Sequence, residues 1–294
     1  MHSALDRLTQ INLDDLVNAF GWQSSRVLSG MVRALFHKAA QDFGLQMLAF
    51  DDAIGMRGLV EAACQTERLY VRDVRVFGAE RLPDGPCLFL SNHPGMTDTL
   101  ALFAALGRPD LRAIALDRPF LLSLPNLAQH LEFVTDQPYE RVSMVRRVSR
   151  HLHGGGSVLT FPAGHTEPDP DVYPGAIESL HTWTDSAGVF VRLAPETAVV
   201  PVCVRGVCWP ATANHPITRL RRTIDDRQLL SSAIQLLANV ALHVRPVTAT
   251  IQVGKPFFAR DLGSADTEAM HHAVMDSMTS LLESNPEGVG QSAL

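Results

Sequence analysis

Cys87-Leu88-Phe89-Leu90-Ser91-Asn92-His93-Pro94-Gly95-Met96-Thr97-Asp98 is the stretch whose reading decides the fold. Cys87–Leu90 is a short apolar run of the kind found in buried strands. His93 and Asp98 are five positions apart. Neighbours on a helix face are three or four apart, so the two cannot meet on one continuous helix. Pro94 disfavours helical backbone at His93, and Gly95 permits a tight turn. The stretch therefore reads as a strand ending at His93, a turn at Pro94-Gly95 and a helix from about Asp98. That helix carries Leu100, Ala101, Leu102, Ala104, Ala105 and Leu106 and stops at Gly107, with Pro109 beyond. Folding the turn back brings the carboxylate to one imidazole nitrogen and leaves the other free as a general base. Taken alone, the motif favours a plainer reading, in which Thr97 or Asp98 caps the helix and His93 is a loop histidine. The sequence further on reverses that preference.

Upstream, residues to about Glu67 read as helical. Leu28, Met31, Val32, Leu35 and Phe36 recur at helical spacing. This stripe reads first as a helix packed on its own domain and second as an interfacial face that touches lipid. Phe20 and Trp22 suit either. From Leu69 the texture changes. Val71, Val74, Val76 and Phe77 suggest a strand or hairpin. Further strands are expected at Leu111–Leu116, Glu132–Val134, Ser157–Phe161, Val199–Val204 and Thr248–Val253. Helices are expected at Tyr139–His151, from about Gly175, and at Asp266–Glu283. The tail, Ser284–Leu294, is polar and glycine-bearing and reads as frayed. Strands alternating with helices give the fold class α/β: a mixed, largely parallel sheet flanked by helices, with an N-terminal helical segment. The division falls near residue 68, with a helical segment over 1–68 and an α/β domain over 69–294, whose motifs occupy 69–260.

Composition narrows the function. An apolar share of 46% in 294 residues is enough for a substantial core, and a net charge of -6 argues against nucleic acid as a partner. Cys64, Cys87, Cys203 and Cys208 form no CxxC pair, which fits a reducing, cytoplasmic setting. The first residues lack the basic and apolar regions of a signal peptide, and no stretch reaches the ~18 apolar residues of a membrane span. The expected location is cytoplasmic, with peripheral attachment to the inner face of the membrane as its surface-bound form. No H-E-x-x-H spacing occurs, and no metal is expected. His153-Gly154-Gly155-Gly156 mimics the oxyanion loop of lipases, but a G-x-S-x-G elbow is missing, so the glycines read as the turn before a strand. Arg141, Arg146, Arg147 and Arg150 cluster on one expected helix. They read first as a solvated face and second as a landing site for the phosphates of CoA, an acidic carrier protein or anionic lipid.

A second constellation, Phe161-Pro162-Ala163-Gly164-His165-Thr166-Glu167, closes the Ser157–Phe161 strand. Two strand ends of this kind define a sheet edge of the sort at which open α/β sheets bind ligands. With both in hand, the chain resembles the glycerolipid acyltransferase family, whose bacterial members include the lysophosphatidic acid acyltransferases. The resemblance rests on Asn92-His93 with Asp98, on Phe161-Pro162-Ala163-Gly164-His165-Thr166 and on Val200-Pro201-Val202. Gly155-Gly156-Ser157-Val158, Gly175-Ala176 and Gly254-Lys255-Pro256 are smaller echoes. It covers roughly Leu69 to Arg260. Two departures stand out. Ala163 replaces the family's Glu, and His165-Thr166 replaces its Thr/Ser-Arg pair. The block at Phe133-Val134-Thr135-Asp136-Gln137 also lacks its Arg.

The resemblance implies an O-acyltransferase. It would move a fatty acyl group from acyl-CoA or acyl-carrier protein to a hydroxyl of a lysophospholipid, glycerol phosphate or related lipid. His93 would be the general base and Asp98 its orienting carboxylate. Asn92, Gly95, Phe161, Pro162, Gly164, His165, Thr166 and Pro201 would line the substrate site, with Arg118 and Arg205 replacing the missing arginines. Backbone N–H groups near Gly95 or Gly164 would meet the oxyanion. No cofactor is implied beyond the thioester co-substrate. The implied partners are the acyl donor, the lipid acceptor and a membrane surface, not nucleic acid. Two other readings stand beside this one: a hydrolase of the same thioester, and a non-catalytic lipid-binding protein. The intact His93 and Asp98 count against the last, and the altered acceptor block keeps the hydrolase in play.

Overall fold

The computed structural model describes residues 3–135, 137–262 and 266–294. Three helices come first: α1 (Ala4–Phe20), α2 (Arg26–Arg57) and α3 (Leu59–Glu67). Ser3 starts α1 with a capping box to Asp6, and Gly21 ends it in the left-handed conformation. Strand β1 (Asp73–Phe77), strand β2 (Cys87–Ser91), helix α4 (Asp98–Leu106) and strand β3 (Leu111–Leu116) follow. Two one-turn helices, α5 (Pro119–Leu122) and α6 (Pro125–Ala128), lead to β4 (Leu131–Val134), α7 (Pro138–His153) and β5 (Ser157–Thr160). The helix expected from Gly175 is broken. A single turn, α8 (Ala176–Ser179), and a 3-10 turn precede α9 (Ser186–Leu193). Next come β6 (Ala198–Arg205), the short α10 (Pro210–Ala213) and α11 (Pro216–Arg219), and the long α12 (Ile224–Leu242). The chain ends with β7 (Thr248–Val253), α13 (Thr267–Glu283) and β8 (Gln291–Ser292).

The eight strands make one sheet, in the order β4-β3-β5-β2-β6-β7-β1-β8. The five strands from β4 to β6 are parallel, β7 runs antiparallel to β6, and β1 is parallel to β7. The sheet is therefore mixed and largely parallel. Side chains alternate across it, as the period of a strand requires. From β2, Cys87 and Phe89 join the core under α3 and α4, while Leu88 and Leu90 join the core under α7, α9 and α13. The N-terminal helices give Leu8, Met47, Phe50, Ile54 and Leu59 to the first of these cores.

Of the two readings for Val71–Phe77 the strand holds: β1 covers Asp73–Phe77 and pairs with β7 and β8 rather than with β2. The expectation for the C-terminal tail needs correction. The tail is not frayed. Gln291 and Ser292 pair antiparallel with β1, and the Ala293 N–H donates to the Val74 carbonyl at 3.0 Å. Arg75 Nη1 donates to the Gly290 carbonyl at 3.1 Å. The physical reason is the open edge of β1, whose unpaired backbone groups need a partner. A Cβ on Gly290 would fall 2.6 Å from the Phe77 ring, so the glycine lets the tail lie flat. Among the described residues, no helix is long and apolar enough to cross a membrane.

Candidate active site

The turn between β2 and α4 folds as its residues dictate. Gly95 takes a left-handed φ of 88°, and Met96 follows at 58°, a conformation rare for a side-chain-bearing residue. Those two residues reverse the chain. His93 Nδ1 then lies 2.7 Å from Asp98 Oδ2. A carboxylate can only accept, so Nδ1 carries the proton and Nε2 holds the lone pair. Asp98 is buried, and its oxygens are fully engaged. Oδ2 also accepts the Gly95 N–H at 2.8 Å, and Oδ1 accepts the Thr99 hydroxyl at 3.0 Å. The carboxylate is thus locked before any substrate arrives. The His93 side chain keeps 30% of its surface exposed, and its Nε2 meets no hydrogen-bond partner among the described residues.

The loop after β5 packs against this turn. The Phe161 ring sits 4.4 Å from the imidazole, centroid to centroid. Thr166 crosses Gly95 so closely that a Cβ there would lie 3.1 Å from the Thr166 methyl, a second reason for glycine at 95. Gly164 and His165 are exposed at the rim, and His165 Nδ1 folds back to the Ala163 carbonyl at 2.9 Å. Pro162 is buried and accepts the Thr184 N–H through its carbonyl at 3.1 Å.

The residue that ties the two loops together is Glu167, to which sequence reasoning gave no role. Its N–H donates to the His93 carbonyl at 2.7 Å, and its Oε2 accepts the His93 N–H at 3.0 Å. Oε1 accepts from Ser179 Oγ at 3.0 Å and Trp183 Nε1 at 2.7 Å. A second tie comes from α12. Gln228 Nε2 donates to the Pro94 carbonyl at 2.9 Å and to the Glu167 carbonyl at 2.7 Å. Gln228, Ser231, Gln235 and Asn239 are all buried and share one face of α12. Gln235 and Asn239 bind loop backbone just as Gln228 does. That polar stripe at helical spacing was the signal available in the sequence.

Other expected residues lie elsewhere than expected. Asn92 is buried and turned into the sheet. Its side-chain amide exchanges two hydrogen bonds with the Val204 backbone, at 2.8 and 2.7 Å, and so extends the β2–β6 ladder one step past the strand. Pro201 lies inside β6 opposite Leu90, buried in the sheet. Arg205 is buried and turned toward α13. Its guanidinium donates to Asn285 Oδ1 at 3.0 Å and to the Leu281 carbonyl at 2.8 Å, and pairs with Asp171 at 3.6 Å. It secures the end of α13 rather than offering a free cation. The two backbone donors expected for an oxyanion are also occupied, since Gly95 N–H serves Asp98 and Gly164 N–H serves the Phe161 carbonyl at 3.0 Å. Arg118 differs from Arg205. It caps α5 on the same sheet edge, and its charge reaches both His93 and Asp15 of α1. In the block at Phe133–Gln137, Asp136 lies outside the described residues.

Electrostatics favour a strong base. Burial alone would push the His93 imidazole down. The Asp98 charge and hydrogen bond, with the Glu167 charge, outweigh it and hold His93 above its ordinary value, while Arg118 acts weakly against them. Beneath the pair sits Glu67, wholly buried at the end of α3. Its two oxygens and the Thr97 hydroxyl lack well-formed hydrogen bonds. Burial pushes Glu67 well above the usual carboxylate range, the Thr97 hydroxyl lowers it and the Asp98 charge raises it further.

The arrangement is a base with a fixed tautomer, open to solvent at a strand end. It can take a proton from a hydroxyl, an amine or water. Among solved structures, the crystal structure of the 1-acyl-sn-glycerophosphate (LPA) acyltransferase PlsC from Thermotoga maritima matches over 93% of this chain and 97% of that one, with 15% identity and a TM-score of 0.44. No curated protein matches the chain. Residues 73–205 match the Acyltransferase family. That segment, which runs from β1 to the end of β6 and carries both loops of the site, is thus similar to the acyltransferase family.

Proposed function

We propose that this protein is an acyltransferase that moves a fatty acyl group from an acyl thioester, acyl-CoA or acyl-carrier protein, to a hydroxyl of a lysophospholipid, glycerol phosphate or related lipid. The observation that carries this reading is the 2.7 Å contact between His93 Nδ1 and Asp98 Oδ2, which leaves Nε2 as the base. Nε2 takes the acceptor's hydroxyl proton while the oxygen attacks the thioester carbonyl. Asp98 steadies the imidazolium that forms. The tetrahedral intermediate collapses, the carbon–sulfur bond breaks, and the thiolate leaves with the proton returned by His93. Arg118, on the same edge, is the cation best placed to meet an acceptor's phosphate. Phe161, Gly164, His165 and Thr166 form the rim over which the acceptor enters.

The reading extends to a membrane surface. Val27, Met31 and Leu35 recur every fourth residue on α2 and are 72%, 59% and 74% exposed. Leu116 and Leu122 are also exposed and flank Arg118 on the edge that holds the pair. An apolar helical stripe of this kind supports shallow insertion among lipid headgroups.

The test uses purified protein, labelled acyl-CoA or acyl-carrier protein, and a panel of lysolipids and glycerol phosphate. Labelled product that appears only with an acceptor is the expected result. Free fatty acid released at the same rate with and without acceptor identifies a thioester hydrolase instead.

A further inference from the structure

Two arginines of α7 take no part in the site described above. Arg147 and Arg150, with Arg108, Arg112 and His151, line a cleft of about 550 Å³. Its floor is the glycine turn Gly154–Gly156 that leads into β5. The cleft sits at the starts of β3 and β5, whereas His93 lies past the end of β2. These strands are parallel, so the cleft is on the opposite edge of the sheet. From Gly156 to Phe161 along β5 the separation is roughly 17 Å at ~3.3 Å per residue.

The charges in the cleft do not cancel. Arg108 is engaged through all three of its nitrogens: Nε and Nη2 each meet an Asp110 oxygen at 2.9 Å, and Nη1 donates to the Pro83 and Asp84 carbonyls at 3.1 Å. Buried Glu132 accepts from Arg112 Nη1 at 2.7 Å and from Arg147 Nε at 2.8 Å, so one carboxylate faces two guanidinium groups. Arg150 adds a further charge with no acidic partner among the described residues. Four arginines against Asp110 and Glu132 leave an excess of two positive charges, within a chain whose net charge is -6. The remaining N–H groups of Arg112 and Arg147 meet no protein acceptor among the described residues. His151 Nε2 donates to the Asp110 carbonyl at 2.8 Å, which holds the ring against the turn. A Cβ on Gly156 would fall 2.3 Å from that ring, so the glycine keeps the floor low.

We propose that this cleft is a phosphomonoester site, separate from the acyl-transfer site. A phosphomonoester carries about -1.5 to -2 charge at neutral pH, which matches the excess. Guanidinium forks suit its oxygens. The phosphate group is the shared chemistry of a soluble phosphomonoester and of a lipid with a bare phosphate headgroup.

The full chain is titrated with inorganic phosphate by calorimetry. It is also sedimented with phosphatidylcholine vesicles, with and without phosphatidic acid. Phosphate should bind the wild type, about tenfold more weakly in Arg150→Gln, and more weakly still in the Arg147→Gln/Arg150→Gln double variant. His93→Ala and Arg118→Gln should keep the Arg150-dependent binding, whatever phosphate the acyl-transfer edge takes up. Arg150 is exposed, so its single variant serves even if the double variant loses its fold. Retention on phosphatidic acid vesicles that depends on Arg150 identifies the lipid headgroup as the source; an Arg150-dependent titration without such retention identifies a soluble one. The proposal fails if Arg118→Gln abolishes binding while Arg150→Gln keeps it, since the phosphate then sits on the acyl-transfer edge. It fails equally if the wild type saturates with neither probe.

Discussion

As the proposed base, His93 takes its state from several neighbours. Burial lowers its proton affinity, and the carboxylates of Asp98 and Glu167 raise it by more. The unprotonated ring is the active form, so the rate should fall on the acid side with an inflection above the ordinary ~6.5 of imidazole. Glu167→Gln removes one of the raising charges. The acid inflection of kcat/KM should therefore move to lower pH, and an unmoved inflection contradicts the role given to Glu167. Asp98→Asn also removes the acceptor that fixes the tautomer. Its rate should drop about 10²-fold or more, measured at a pH where both proteins are folded. Glu67 makes a prediction about stability. Its folded-state value lies well above its unfolded one, so the unfolded chain gives up that proton first as pH rises past about 4.5. Glu67→Gln cannot ionise. The variant should gain stability over the wild type as pH rises, by up to about 1.4 kcal/mol per pH unit, and the gap should close towards pH 4. Denaturant unfolding across that range checks it. A gap that is flat with pH would mean Glu67 is already ionised in the fold.

At the scale of elements, α12 holds the two loops of the site in register. Gln228 supplies one amide to two carbonyls, Pro94 and Glu167. Gln228→Leu leaves both buried carbonyls without that donor, at about 1–3 kcal/mol each. The expected outcome is a lower denaturation midpoint together with a loss in kcat, because the His93 turn is no longer pinned to the β5 loop. A variant that loses stability but keeps full kcat would reduce Gln228 to a packing role. Helix α2 carries the membrane prediction. Met31→Asp with Leu35→Asp places two charges in the exposed stripe and should abolish flotation with lipid vesicles. Activity on a short-chain, water-soluble acceptor should survive. Vesicle binding that persists in this variant would sink the interfacial reading.

Across the whole molecule, the parts legible in the sequence were those with a local signature. The β2–α4 turn was readable because Pro94 and Gly95 allow so few backbone paths, and its helix ends at Gly107 as expected. The strands were readable because buried parallel strands are nearly continuous apolar runs. The tail was not, since Gly290 and the polar residues around it look like a frayed end and become a strand only against the open edge of β1. Arg205 and Asn92 turn their polar groups into the fold for a related reason. A polar residue near a motif looks like a ligand-binder, but a sheet edge also consumes polar groups to finish its own hydrogen bonds. Glu167 and Gln228 were missed because their partners are 74 and 134 residues away in the chain, and no window of sequence contains both ends of such a contact.

The most direct test compares the initial rate of acyl transfer from labelled acyl-CoA or acyl-carrier protein to the best acceptor by the wild type and by His93→Ala, with matched folding by circular dichroism. A fall of about 10²–10⁴-fold in the variant is the predicted result; transfer at the wild-type rate without the imidazole would contradict it.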